Sequence, residues 1–473
     1  MDSTTYASPF SWRYGRAELR SLFSELTRRR LWRAVWVALA EAQAAEGLVS
    51  EAEVADLRAH ADGIDIEAAL EIEREIHHDL MAEIRVFASQ AKTGGAKLHL
   101  GATSMDIEDT VETYRMRLAL SWIGESLQEL LRALAERIRE YADLACMAFT
   151  HLQPAEPTTL GYRLAVYAQD LTIDDAALRF AFENLTAKGL RGAVGTAASY
   201  EHLLEGSGTS AEIERYVLEK FGLHAREIST QTYPRKLDYL LLSALAGLGA
   251  SLSKFAADVR ILSSPEFGEV AEPFGKSQVG SSAMPFKRNP ILCERIDSLA
   301  RLLAGYSDVA WQNAATNYLE RTLDDSANRR TILPEAMMCA DEIVSLALRV
   351  VRGMRVNERR IAHNLRTYGP FAGTEAVMME AVRSGGDRQQ LHETIRGAAM
   401  EAWDALAQGQ DNPLSELLVE DGELTSRVDP AEIRRLLDPG KHVGTAPQRA
   451  LLLADRIERM EPFPKQNEVP LNV

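Results

Sequence analysis

The sequence predicts an all-α fold of three helical domains built around a central bundle of long helices. The 473-residue chain is 46% hydrophobic but only 7% aromatic, a composition typical of packed helices rather than of sandwiches or barrels. Its apolar residues also recur three or four positions apart over stretches of about thirty residues. A helix of that length is about 45 Å long, more than a compact monomer needs. We therefore expect an oligomer that covers the exposed apolar stripes.

The elements follow in chain order. Residues 1–106 are predicted to form a domain of short and medium helices. Residues 107–356 are predicted to form the bundle, and residues 357–473 a third domain of shorter helices separated by turns. Five long helices are expected in the bundle, at about 107–144, 158–188, 234–262, 291–319 and 327–354. Pro234 suits a helix start, whereas Pro334 is expected to kink the last helix or shift its start.

Charge and composition exclude several classes of function. A net charge of -16 argues against a general nucleic-acid or anionic-membrane surface, so an anionic substrate would need a local cationic cluster. The three cysteines are odd in number and widely spaced, which predicts neither disulfides nor a metal site. The N-terminus lacks a signal pattern, and no run of some 18 apolar residues is evident, so we expect a cytoplasmic protein without a membrane segment.

The segment 280–290, GSSAMPFKRNP, has the composition of a catalytic loop. Gly280 frees the backbone, Ser281 and Ser282 supply hydroxyls, and Lys287 supplies a cation. Such a segment can fold over an anion and present an activated serine to it. The alternative for a Gly-Ser-Ser string alone is an ordinary turn before the next helix.

Two further segments carry polar groups at helix boundaries. THLQP at 150–154 is a polar break between two long helices, in which His151 could donate a proton near neutral pH or merely cap a helix. GATS at 101–104 precedes the longest predicted helix. There the free amides and the hydroxyls of Thr103 and Ser104 could bind an anion, although both residues could equally be plain N-caps.

The segment ERTLDDSANRR at 320–330 is suited to a phosphate. It places three arginines and Ser326 around a helix start, and guanidinium groups bind phosphate in two-pronged geometry. A solvated helix end is the alternative. Near the N-terminus, Arg13 and Tyr14 add a guanidinium and an aromatic face that could meet a phosphate or a purine.

These segments together resemble a known family. GSSAMPFKRNP resembles the signature of the fumarase/aspartase superfamily, whose members eliminate fumarate from a substituted succinate. SWRY, HHDLMAE, GATS, THLQPAEPTT, QTYPRKLD, ERTLDDSANRR and GGDRQQLHETIR resemble segments of the adenylosuccinate lyases. This second resemblance runs in register from about Trp12 to about Leu437 and looks closer to the animal-type enzymes than to the short bacterial form.

The resemblance implies a function in purine biosynthesis. The expected reaction is a β-elimination that releases fumarate from adenylosuccinate, giving AMP, and from the succinylated aminoimidazole carboxamide ribotide (SAICAR), giving AICAR. The family needs no metal or organic cofactor. It forms a homotetramer in which the bundles merge into one core and each active site draws motifs from three subunits.

The resemblance also implies roles for individual residues. Ser281 would be the base, His151 the acid paired with Glu294, and Lys287 and Asn289 would hold the substrate carboxylate and the aci-carboxylate formed from it. His78 would assist catalysis. Substrate contacts are implied for Arg13, Tyr14, Asp79, Thr103, Ser104, Thr150, Gln231, Ser282, Asn289, Arg321, Ser326 and Arg330.

Some residues depart from the family pattern. His77 stands where animal-type enzymes usually carry Arg, GATSMDIEDT replaces a motif that varies among branches, and Gly275 and Ser277 make the approach to the loop less polar.

Other functions are alternatives to this one. An argininosuccinate lyase, an aspartase or a specialised succinyl-nucleotide lyase would keep the elimination chemistry with another leaving group. ERTLDDSANRR argues against the first two, because neither substrate carries a phosphate. A helical structural or storage protein is disfavoured because the proposed catalytic groups are intact.

Overall fold

The computed structural model describes residues 4–206, 208–275 and 277–469. In these ranges the chain is helical, with only four short strands, so the predicted all-α class is confirmed. The helices are α1 (Ala17–Leu22), α2 (Glu25–Ala45), α3 (Glu51–His60), α4 (Ile66–Ile76), α5 (Asp79–Gln90), α6 (Ser104–Glu140), α7 (Leu160–Asn184), α8 (Ala198–Leu204), α9 (Ser210–Lys220), α10 (Lys236–Leu262), α11 (Ile291–Ala315), α12 (Ser326–Gly353), α13 (Glu358–Tyr368), α14 (Thr374–Arg383), α15 (Arg388–Ala407), α16 (Leu414–Glu420), α17 (Gly422–Thr425), α18 (Pro430–Leu436) and α19 (Ala446–Glu458). The strands are β1 (Ala145–Thr150), β2 (Gln153–Thr159), β3 (Val270–Ala271) and β4 (Arg355–Val356).

The five long helices predicted for the bundle are present as α6, α7, α10, α11 and α12. Helix α10 packs against α7, α11 and α12, while α6 packs against α7 and α12. Leu241, Leu245, Leu248 and Leu252 recur at helical spacing along α10 and are buried. This apolar stripe explains why the segment folds as a bundle helix.

The two prolines lie at different positions relative to the starts of their helices. Helix α10 begins at Lys236, so Pro234 precedes it, and the Pro234 carbonyl accepts from Leu237 N–H at 2.8 Å. Pro334 lies inside α12, which begins eight residues earlier at Ser326. Of the two alternatives predicted for Pro334, the shifted helix start is therefore wrong, and the kink stays a prediction. The first turn is held instead by Asp325, whose carboxylate accepts from Arg235 at 2.5 Å and Arg321 at 2.8 Å.

Helix α10 is also apolar enough, by length and composition, to cross a membrane. Our sequence prediction did not anticipate such a helix. Half of its most apolar window is buried inside the bundle, and its neighbours are other helices of this chain. Its hydrophobicity is accounted for by its central position in the bundle.

The THLQP segment is the tip of a β-hairpin rather than a simple break between helices. Strands β1 and β2 pair antiparallel, with Thr150 opposite Gln153. The two turn residues, His151 and Leu152, have φ angles of 55° and 59°. Positive φ at both central positions is the geometry of a two-residue hairpin turn, and it strains residues other than glycine. His151 is thereby presented, exposed, at the end of the hairpin.

The core has two parts. One hydrophobic cluster joins the N-terminal helices, the bundle and α19, and a second, smaller cluster lies between residues 377 and 437. The division into domains at residues 106 and 356 stays a prediction.

After α19, the chain runs along α6 as a segment that we call the tail (residues 461–469). Phe463 is 2% exposed and covers Gly124, where a Cβ atom would lie only 2.3 Å from the Phe463 ring. The Gln128 amide donates to the carbonyl of Glu461 at 2.8 Å and accepts from Phe463 N–H at 3.0 Å. The tail is therefore part of the bundle packing.

Candidate active site

A cavity of about 460 Å³ lies where the α4–α5 turn, the start of α6 and the segment before α12 meet. We call it the first cavity. Eight predicted site residues line it: His78, Asp79, Thr103, Ser104, Gln231, Arg321, Ser326 and Arg330. The structure thus brings together side chains from four separate motifs of the sequence.

The start of α6 contributes the hydroxyl groups of this cavity. Thr103 is the N-cap of the helix, and its N–H donates to the Asp106 carboxylate at 3.0 Å. Asp106 is buried and also forms an ion pair with Lys188. Ser104 Oγ lies 3.4 Å from His78 Nε2. The capping and anion-binding interpretations are therefore compatible, because the helix start that Thr103 caps faces the cavity.

Asp79 and Arg330 form an ion pair across the cavity wall, with 2.9 Å between their nearest oxygen and nitrogen atoms. Burial would raise the pKa of Asp79, but the guanidiniums of Arg330 and Arg28 outweigh it and hold that pKa below its usual range. The Arg330 side chain is nevertheless 51% exposed. It can therefore bind a further anion through its remaining N–H groups.

The other two arginines of the 321–330 segment point to different places. Arg321 lines the cavity while bound to Asp325 at 2.8 Å. Arg329 points into the protein, where it binds Asp238 at 2.7 Å. Two of the three predicted arginines, together with Ser326, therefore face the first cavity. Because the sequence predicts that Arg321, Ser326 and Arg330 bind a phosphate, we call these three residues the phosphate clamp.

The loop 280–290 lies apart from this cavity in the single chain. Ser281 Oγ accepts from the N–H groups of Ala283 at 3.3 Å and Met284 at 3.1 Å. Asn289 donates to the Gly280 carbonyl at 3.0 Å. A Cβ atom at Gly280 would lie 1.9 Å from the Lys287 carbonyl oxygen, so the closed shape of the loop requires glycine there. Two N–H donors on one serine oxygen favour negative charge on that oxygen.

Ser282 and Lys287 in the same loop are exposed. Beneath the loop, Arg288 and Asn289 line a separate cavity of about 340 Å³ with Glu272 and Asn357. The first cavity and this loop therefore supply different functional groups at different places on the subunit.

His151 and Glu294 do not meet within one subunit. His151 borders a cavity of about 340 Å³ that Arg163 and Lys254 also line, and Thr150 is exposed beside it. Glu294 lies on α11, 4.0 Å from the Arg260 guanidinium. Among the described residues no hydrogen bond joins His151 to Glu294, so their predicted pairing would have to form between subunits.

Arg13 and Tyr14 lie at a further place, against α11 and α12. The Arg295 guanidinium is 6.0 Å from the Tyr14 ring, and the neighbouring Gly15 N–H donates to Glu342 at 3.2 Å. Arg13 is exposed. Neither residue lines the first cavity, so their predicted nucleotide contacts also require another subunit.

Our sequence interpretation missed four residues that line the first cavity, Glu73, Met105, Glu108 and Leu323, and Glu108 is the one whose pKa is altered. Glu108 lines the first cavity, and burial raises its pKa to about 8. It lies four residues after Ser104, hence on the same face of α6. That spacing is the signal that could have identified it.

Known proteins are similar to this chain over nearly its full length. A family model described as "Lyase" matches residues 15–305, and one described as "Adenylosuccinate lyase C-terminus" matches residues 370–450. The adenylosuccinate lyase of Schizosaccharomyces pombe is 34% identical over 98% of this chain and 97% of its own length. That of Saccharomyces cerevisiae is 35% identical over the full length of both. The crystal structure of a fumarate lyase from Mesorhizobium sp. BNC1 superposes with a TM-score of 0.81 at 26% identity, covering 95% of this chain and 99% of that one.

The long-helix bundle and the matched lyase model define an enzyme of the fumarase/aspartase superfamily, a lyase. Within this superfamily, near-full-length relatives above 30% identity and the C-terminal model decide the branch. The chain belongs to the adenylosuccinate lyase family, and the family predicted from the sequence motifs is confirmed.

Proposed function

We propose that this protein cleaves adenylosuccinate to AMP and fumarate, and SAICAR to AICAR and fumarate, in the cytoplasm. The observation that carries this proposal is the first cavity, where the phosphate clamp faces the hydroxyl-bearing start of α6. The substrate has anionic groups of two kinds, a phosphate and two carboxylates. The clamp supplies the geometry for the phosphate, and the helix start with Thr103 and Ser104 supplies it for a carboxylate.

The elimination uses no cofactor. Ser281, as an alkoxide held by two main-chain N–H groups, removes the proton from the carbon beside a carboxylate. The electrons of that C–H bond become the aci-carboxylate, which Lys287 and Asn289 stabilise. As the carbon–carbon double bond forms, the C–N bond breaks, and His151 gives its proton to the departing nitrogen. Fumarate and the nucleotide leave, Ser281 releases its proton to solvent, and His151 takes one up from solvent, so both groups return to their starting protonation states.

This mechanism needs more than one subunit at each site. The first cavity, the His151 hairpin and the Ser281 loop are separate in one chain, so we infer a homotetramer whose active sites each draw on three subunits. An exposed apolar stripe on α7 supports assembly. Val166, Ile173 and Phe180, seven residues apart, are 46%, 63% and 56% exposed. Such a stripe on a soluble protein marks an interaction surface.

Thermal protection by AMP tests the nucleotide site. AMP binds only the folded state, so it should raise the unfolding temperature of the wild type, whereas adenosine, which lacks the phosphate, should do little. Replacing Arg330 with Ala removes a charge-assisted hydrogen bond worth about 1.5–3 kcal/mol, so AMP affinity should fall about ten- to a hundredfold.

Arg352→Ala is the matched control. Arg352 lies at the other end of α12, is 58% exposed and is also paired with a carboxylate, Glu129, at 2.7 Å. It should keep wild-type protection by AMP. Absence of AMP protection in the wild type, or cleavage of argininosuccinate but not of adenylosuccinate, would refute the substrate while leaving the elimination chemistry standing.

A further inference from the structure

Glu108 stands at the junction of two cavities. Behind the first cavity lies a second cavity of about 270 Å³, between α2, α6 and α12. Five residues line both: Met105, Glu108, Arg321, Ser326 and Arg330. Three of these five are the phosphate clamp, so Glu108 occupies the same wall as the groups that would hold the phosphate. Thr103 and Ser104 line the first cavity alone.

Glu108 also differs from every other carboxylate in these walls, because each of the others has a cationic partner. The pairs and their shortest nitrogen-to-oxygen distances are Glu25–Arg28 at 2.9 Å, Glu73–Arg29 at 4.0 Å, Asp79–Arg330 at 2.9 Å, Asp109–Arg235 at 3.1 Å and Glu112–Arg115 at 3.4 Å. Within the described part of the chain, Glu108 has neither a hydrogen bond nor an ion pair. Its carboxyl group is therefore available to a ligand.

The surroundings keep this carboxyl group neutral. Burial is the largest cause and raises the pKa of Glu108 to about 8; Asp79 and Asp109 raise it further, while Arg28 and Arg330 lower it. Besides Glu108, the following charged and titratable side chains line the two cavities. They are Glu25 and Arg28 of α2, Glu73 of α4, His77, His78 and Asp79 at the α4–α5 turn, Asp109, Glu112 and Arg115 of α6, and Arg321, Arg329 and Arg330 just before or at the start of α12. At neutral pH Glu108 thus carries a proton that it can donate.

We propose that Glu108 is a nucleotide-recognition residue whose neutral carboxyl group donates a hydrogen bond to a phosphate oxygen, beside Arg321, Ser326 and Arg330. The proposal rests on the proposed function, since it assigns the anion in this wall to the nucleotide. An ionised carboxylate in the same place would repel a phosphate dianion, whereas a protonated one is a strong donor to it. The shared wall with the clamp favours the phosphate over the succinyl carboxylates.

The sign of the pH dependence follows. The protonated form binds the phosphate, and the phosphate in turn favours the protonated form. AMP affinity should therefore change little between about pH 7 and pH 8 and fall as pH rises further, by at most about tenfold per pH unit. In this range the phosphate is already a dianion, because its second pKa is about 6.

The experiment compares AMP affinity at about pH 7 and about pH 9.5 in the assembled enzyme. The wild type should bind AMP at least about tenfold more weakly at the higher pH. Glu108→Gln keeps a donor at every pH, so its affinity should change by less than about threefold. Glu112→Gln, one turn further along α6, removes a carboxylate already paired with Arg115. This control should keep the wild-type dependence.

Proton counting provides a second measurement that a purely structural role would not affect. Calorimetric titration of the wild type with AMP at about pH 8.5, in two buffers of different ionisation enthalpy, should show uptake of up to about one proton. Glu108→Gln should show none. The wild-type uptake remains decisive even if the variant does not fold.

The outcomes separate the two proposals. If the wild type binds no AMP at about pH 7, the nucleotide site and the role of Glu108 both fail. If AMP binds the wild type equally at both pH values, or if Glu108→Gln keeps the wild-type dependence, only the role of Glu108 fails. The last measurement compares the fumarate affinity of the wild type and of Glu108→Gln, because fumarate has carboxylates and no phosphate. A dependence on Glu108 for fumarate and not for AMP would overturn the assignment to phosphate.

Discussion

The hydroxyl oxygen of Ser281 accepts hydrogen bonds from two main-chain N–H groups, those of Ala283 and Met284. A serine hydroxyl is a poor base, and the cost of removing its proton is reduced when fixed dipoles point at the oxygen. This local geometry, rather than the presence of a serine, makes Ser281 suited to proton abstraction.

Ser281→Ala should lower turnover by about 10²–10⁴-fold, the usual contribution of a positioned general base, and leave substrate affinity nearly unchanged because the base acts only in the transition state. Single-turnover kinetics with adenylosuccinate separate the two quantities. Ser282→Ala removes the adjacent hydroxyl, which is predicted to contact the substrate and not to act as the base, so it should weaken substrate binding but keep at least about a tenth of wild-type turnover. Comparable loss in both variants would show that the loop, and not the base, had been disturbed.

Site residues that belong to a sequence motif could be predicted. Residues whose role depends on their tertiary neighbours could not. Thr103, Ser104 and Arg330 were predicted from their motifs, and the structure brings them to one cavity. Glu108 was missed, since its unpaired state depends on which partners Asp79 and Asp109 have taken on other helices. No local pattern in the sequence encodes that competition.

Among the elements, the long helices were predictable and the hairpin was not. Apolar spacing of three or four residues persists through α6 and α10 and identifies both. Strands β1 and β2 are short, and β2 contains Pro154 and Pro157, which argue against a strand. The turn also lacks the Asn-Gly or Gly-Gly pair that marks most two-residue hairpins. The hairpin is therefore explained by tertiary packing, where helix α13 contacts β1.

The tail provides a prediction at this scale. Phe463→Ala should destabilise the protein by about 3–5 kcal/mol, because the ring fills the space above Gly124 and leaves a cavity when removed. The unfolding temperature, measured at fixed protein concentration, should fall accordingly. Lys465→Ala is the control, since Lys465 is 69% exposed and forms a surface ion pair with Glu125. An unchanged unfolding temperature for Phe463→Ala would mean that the tail is not needed for bundle stability.

At the scale of the whole molecule, the predicted site residues form separate groups on each subunit. In the proposed oligomer, different subunits contribute the first cavity, the His151 hairpin and the Ser281 loop to one active site. The apolar periodicity of the bundle helices predicted an oligomer, but the sequence could not show which segments would face each other. That arrangement depends on the shape of the assembled surface.

Shared sites predict complementation between inactive variants. If the protein is the proposed tetramer, the His151→Ala and Ser281→Ala variants, mixed under mildly dissociating conditions and returned to native buffer, should regain part of the wild-type activity. Some hybrid sites then receive both intact groups. Each variant mixed with itself is the control. If native mass spectrometry shows hybrid tetramers and no activity returns, each subunit must build its site alone.

The position of the tail also bears on the order in which the protein can be completed during translation. Gln128 bonds to Phe463 N–H across a separation of 335 residues, so α6 leaves the ribosome long before its cover exists. At a synthesis rate of about 5–20 residues per second, this interval is roughly 20–70 s. The groove around Gly124 stays open to water and to other nascent chains throughout that time. Slow translation of the C-terminal third should therefore lower the yield of folded enzyme, an effect that molecular chaperones binding apolar grooves would offset.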